Sequence, residues 1–80
     1  MELLIDVINV KACENNTLLL EFENGKKRRF DMTPFLKKKP FVKLKDSPLF
    51  LKAFVAYGTV VWPGRIDIAP ETLWDYSEPV

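Results

Sequence analysis

The chain predicts a small α+β domain: one mostly antiparallel sheet of about five strands, with two or three short helices each opened by a proline. Three observations carry that expectation. Arg29-Phe30-Asp31-Met32-Thr33-Pro34 and Arg65-Ile66-Asp67-Ile68-Ala69-Pro70 repeat one pattern: Arg, apolar, Asp, apolar, small, Pro. Each copy follows a glycine turn, Asn24-Gly25 or Pro63-Gly64. It reads as a strand ending where a helix begins, because proline fits the first helical position, where its missing N–H would be unpaired anyway. The connections between β-rich runs are too short for parallel crossovers, so neighbouring strands run antiparallel. With 80 residues and 48% apolar content, the chain forms a single domain over 1–80, with 76–80 as a loose tail. A domain of this size buries about 60–65% of the surface its unfolded chain exposes, which leaves a thin core.

Leu3 to Ala12 is apolar and β-branched with few polar interruptions, which predicts a first strand that is central or covered on both faces. Glu14-Asn15-Asn16 is a turn, Thr17 to Glu23 a second strand, and Lys26 to Phe30 a third. Asn24-Gly25 between them is a strong hairpin signal. Two registers are open. A two-residue loop sets Glu23 opposite Lys26, Glu21 opposite Arg28 and Leu19 opposite Phe30; a three-residue loop with Gly25 left-handed sets Phe22 opposite Lys26, Glu21 opposite Lys27 and Leu18 opposite Phe30. The first makes two cross-strand charge pairs and is preferred on that ground.

Thr33 is a good cap for a helix over Pro34–Lys39, which Pro40 stops. Phe41 to Lys45 alternates but is too short to assign. Ser47 caps a third proline-led start at Pro48, with Leu49-Phe50-Leu51 as its buried turn. Ala53–Tyr57 and Thr59–Trp62 read as strands joined tightly at Gly58, and Pro63-Gly64 has the residue order of a type II turn. Arg65–Ile68 extends into a final helix from Pro70 to about Tyr76. Ala69 is a poor cap there, so Asp67 is expected to cap from further back.

The net charge of +1 conceals a segregation. Residues 26–52 hold ten of the twelve basic residues and only Asp31 and Asp46 among the acids. Lys27, Arg28, Arg29, Lys37, Lys38, Lys39, Lys43 and Lys45 are therefore candidates for a surface that meets a partner or a polyanion. Against nucleic acid stand a pI near 7.8 and only three Arg, and a solvated face explains the run more simply. Trp74 and Tyr76 are candidate docking aromatics, because Leu73 and Trp74 cannot both turn to the same side of a helix.

Catalysis has little to draw on. The chain has no His, which removes the usual neutral-pH base and the commonest metal ligand. The lone Cys13 has no histidine to activate it and reads as an inert thiol of a reducing compartment. Asp31 and Asp67 could form a carboxylate dyad, but acids just before a helix start are explained by capping and the helix dipole, with Arg29 and Arg65 as ion-pair partners. Asp31, Pro34, Asp67 and Pro70 are accordingly structural corners. The three glycines are isolated at turns and form no phosphate loop. No apolar run approaches the ~20 residues of a membrane span, and the acidic start lacks the basic region of a signal peptide. Neither enzymatic activity nor a cofactor or metal is expected, and the compartment is expected to be the cytoplasm.

The segments Leu18-Leu19-Leu20-Glu21-Phe22-Glu23-Asn24-Gly25 and Phe30-Asp31-Met32-Thr33-Pro34-Phe35-Leu36 resemble the front half of the bacterial domain-of-unknown-function family 2442. Asp46-Ser47-Pro48-Leu49-Phe50, then Gly58-Thr59-Val60-Val61-Trp62 to Ile66-Asp67-Ile68-Ala69-Pro70-Glu71-Thr72-Leu73, resemble its back half. Trp74 departs from the pattern, standing where members often carry Tyr. The resemblance implies a compact α+β domain, found alone or joined to a helix-turn-helix domain, with no established activity. It implies that some members sit beside another small protein in an arrangement similar to toxin–antitoxin pairs. A label from molybdopterin-guanine dinucleotide biosynthesis, carried by some members, finds no phosphate loop here. The expectation is a non-enzymatic interaction or regulatory module, antitoxin-like in kind, whose partner is another small protein or a second copy of itself. The alternative is an accessory nucleic-acid binder using residues 26–45.

Overall fold

The computed structural model describes residues 5–80; Leu3 and Leu4, expected to open the first strand, lie outside the described residues. The hairpin forms as expected, from β2 (Thr17–Phe22) and β3 (Lys27–Asp31), but in the other register. Leu18 faces Phe30, Leu20 faces Arg28 and Glu21 faces Lys27. The loop has three residues, with Gly25 at φ 83° and the Phe22 N–H donating to the Lys26 carbonyl at 2.9 Å. Burial decides this against charge pairing. Leu18, Leu20, Phe22 and Phe30 are all buried, and a one-residue slip would carry Phe30 opposite the exposed Leu19. Keeping large apolar side chains dry outweighs surface charge pairs worth about 0.2–1 kcal/mol each.

β1 (Val7–Cys13) pairs antiparallel with β2 and is an edge strand, not a central one. Its register shifts between Val7 and Asn9, so Ile8 is the extra residue of a bulge and stands exposed. On the far side of the sheet β7 (Glu78–Pro79) pairs with β3, so the segment expected as a tail is the fourth strand. Arg28 holds it in place: its Nε donates to Ser77 Oγ at 2.6 Å and its Nη2 to the Ser77 carbonyl at 2.7 Å.

A second antiparallel sheet contains β4 (Phe54–Ala56), β5 (Thr59–Trp62) and β6 (Ile66–Ile68), in that order. Val60 faces Ile68 and Trp62 faces Ile66, all buried. The sheets meet where β1 lies beside β4, with the Val7 N–H donating to the Gly58 carbonyl at 2.9 Å. α1 (Pro70–Asp75) follows β6, and Trp74 meets Phe22 edge-on at 5.0 Å between ring centroids.

The α+β expectation is thus corrected. Among the described residues the protein is mostly β, with seven strands in two sheets, one six-residue α-helix and three 3-10 turns at Thr33–Phe35, Phe41–Leu44 and Pro48–Lys52. Pro34 and Pro48 do open helical turns, but these segments are far too short to offset the cost of nucleating an α-helix. Pro40 removes a donor just where the first would have continued. Both turns nearest the second sheet rest on Trp62. Phe50 stacks on it at 6.2 Å, Phe41 meets it edge-on at 6.2 Å, and its Nε1–H donates to the Phe50 carbonyl at 3.0 Å.

Candidate functional site

The two structural corners are not equivalent. Asp31 ends β3 and its Oδ1 accepts from the Thr33 N–H at 2.9 Å, doing the work that the sequence assigned to Thr33 as cap. Asp67 lies exposed in the middle of β6, and the cap position at Ala69 has no side-chain hydrogen bond. Pro34 and Pro70 occupy the first turns as expected. Neither aspartate pairs with the arginine two residues before it: the ion pair among the described residues is Arg29 with Glu78, at 3.9 Å and largely exposed. Nor do the aspartates converge. Asp31 lines an open polar hollow of about 340 Å³ with Arg29, Thr33, Tyr76 and Glu78, on a different sheet from Asp67. Among the described residues no cluster of His, Cys, Asp and Glu is placed to hold a metal, and no helix is long and apolar enough to cross a membrane.

The basic run does not form one face. Arg28 is half-buried opposite Leu20, with its guanidinium 4.4 Å from the Trp74 ring centroid. Lys27 and Arg29 flank it in sequence, exposed on the opposite face of the sheet. Lys37, Lys38, Lys39, Lys43 and Lys45 lie on the connection between the sheets, all exposed and, among the described residues, with no acidic group within 4.0 Å. Phe35 and Phe41, the aromatics that could have stacked on bases, are half-buried and pack edge-on against each other at 6.4 Å. The lysines therefore offer point charges without a stacking platform.

The docking aromatics also fall differently. Trp74 is clamped between Phe22 and Arg28. Tyr76 is 70% exposed, beside the polar hollow. The larger exposed apolar feature is one that the strand pattern concealed: Leu51, Phe54 and Tyr57 are 50%, 46% and 97% exposed within seven residues. Ile8, on the bulge of the adjoining β1, is exposed as well. Tyr57 and Gly58 form the two-residue loop of the β4–β5 hairpin, at φ 56° and 73°. Positive φ at both positions is the type I′ geometry, which Asn-Gly or Gly-Gly satisfies without strain. Among the other residues with positive φ, Asn16 and Asp46 are types that tolerate it, whereas Tyr57, like Arg65, is not. A tyrosine here costs about 1–2 kcal/mol, and at 97% exposure its ring returns almost nothing to the fold. A Tyr-Gly pair between two β-rich runs was the available sequence signal.

The chain belongs to the family described as "Protein of unknown function (DUF2442)", whose model matches residues 7–79, from the start of β1 into β7. No curated protein and no solved structure matches it.

Proposed function

We propose that this domain is a non-enzymatic protein-interaction module of the cytoplasm, regulatory and antitoxin-like in kind, which seats a partner protein on the apolar ridge Leu51–Phe54–Tyr57. The observation that carries the reading is Tyr57: a strained backbone that presents a large ring wholly to solvent. Strain that contributes nothing to the fold is a pointer to function, and Tyr is among the residues enriched where interfaces concentrate their binding energy. The hairpin tip is anchored through the Gly58 carbonyl to β1, so the ring is offered from a fixed backbone. A preorganised aromatic loses little freedom on binding.

Site-specific photo-crosslinking in cells tests this. A benzophenone side chain replacing Tyr57 is expected to give one discrete protein adduct that disappears when Phe54→Ala is added. The same replacement at Tyr76, itself 70% exposed, is expected to give none. No adduct from position 57, or the same adducts from both positions, overturns the reading.

A further inference from the structure

We infer that the partner segment seated on this ridge is acidic: an amphipathic peptide whose apolar side chains cover Leu51 and Phe54 and whose carboxylates face Lys43, Lys45 and Lys52. The inference rests on the interaction reading above and adds the chemistry of the partner. The turns at Phe41–Leu44 and Pro48–Lys52 pack against each other, both seated on Trp62 through Phe41 and Phe50. Their inner residues Leu44 and Phe50 are buried, which leaves Val42, Lys43, Lys45, Leu51 and Lys52 facing outward. Phe54 follows directly in β4.

Exposed apolar residues thus stand next to exposed lysines along this stretch, Val42 beside Lys43 and Leu51 beside Lys52. Residues 37–52 carry six lysines against the single acid Asp46, and none of them has an acidic group within 4.0 Å among the described residues. The near-neutral chain has acids enough to neutralise this loop, yet among the described residues none is brought within 4.0 Å of these lysines. Exposed apolar side chains interleaved with charges of one sign suit an interface that steers an oppositely charged partner. A nucleic acid would use the lysines but not Val42, Leu51 and Phe54, and would find the neighbouring phenylalanine rings packed away.

The test uses the whole chain and a phage-displayed library of random 12-residue peptides. Peptides selected on the native chain are expected to combine Asp or Glu with Leu, Phe or Trp. Their affinity is expected to fall at least tenfold in the Lys43→Glu/Lys45→Glu/Lys52→Glu variant, and several-fold between 50 and 300 mM salt. Far-UV circular dichroism and melting of the variant report that these exposed substitutions leave the fold intact. Selected peptides that are neutral or basic, acidic peptides whose affinity survives in the triple variant, or failure to enrich any peptide would each overturn the inference. A 20-nucleotide single-stranded DNA that binds as tightly as the best peptide, with the same dependence on the three lysines, overturns it in favour of nucleic acid. The ridge is tested separately by Phe54→Ala and Tyr57→Ala. Peptides that need the ridge but not the lysines leave the interaction reading standing and remove only the acidic partner; peptides that need neither remove both.

Discussion

At φ 56°, the Tyr57 backbone sits where the Cβ of an L-residue crowds the following carbonyl, at a cost of about 1–2 kcal/mol. Replacing it with Asn, whose side chain tolerates this region and suits the first position of a type I′ loop, should recover roughly half of that, about 0.5–1 kcal/mol. The opposing loss is close to zero, because the ring is 97% exposed and buries no area worth counting. For an 80-residue domain, a gain of 1 kcal/mol raises Tm by about 4–8 °C, so Tyr57→Asn should melt roughly 2–8 °C higher. Scanning calorimetry and urea unfolding of the two chains, at equal concentration and pH, read this directly. In the urea experiment the midpoint should rise while the slope stays unchanged. The same variant should lose the partner that the ridge seats, so stability and association move in opposite directions. A lower Tm for Tyr57→Asn would show that the ring supports the fold, and the strain argument for an interface would fail with it.

The duplicated corners predict unequal costs for the same substitution. Asp31→Ala should lose about 0.5–2 kcal/mol with its bond to the Thr33 N–H, whereas Asp67→Ala, exposed and without a side-chain partner among the described residues, should stay within about 0.5 kcal/mol; urea unfolding separates them. Arg28→Ala removes both bonds to Ser77 and the contact with Trp74. It should cost about 1–3 kcal/mol and speed hydrogen exchange at the Val80 amide, which now bonds to the Lys27 carbonyl. Trp62→Phe opens a gap beneath two turns and orphans the buried Phe50 carbonyl. A loss of about 2–4 kcal/mol is expected, together with loosening of residues 41–52 in exchange experiments.

Turn chemistry was the most legible layer of the sequence. Asn24-Gly25, Tyr57-Gly58 and Pro63-Gly64 each close an antiparallel hairpin, with glycine at positive φ. Register was less legible, because charge pairing and burial favoured loops differing by one residue and only the three-dimensional core shows which wins. Helix type was misread for a related reason. Proline marks where a helical turn starts but says nothing about whether enough residues follow to propagate it, and two of the three proline-led starts, at Pro34 and Pro48, stop as 3-10 turns. The C-terminal strand was hidden because it is held by Arg28, which lies 49 residues before its partner Ser77, and no local pattern encodes a cation held between a serine and a tryptophan. The ridge was hidden by its own apolarity: Phe54 in a β-rich run looks like core until the strand is found at a sheet edge.

The most direct measurement is amide chemical-shift mapping of the isotope-labelled chain titrated with the tightest acidic peptide. The account predicts the largest changes at 42–45 and 51–58, with the polar hollow around Thr17, Asp31 and Glu78 unmoved. Changes centred on that hollow, or confined to the lysines without Phe54 and Tyr57, would contradict it.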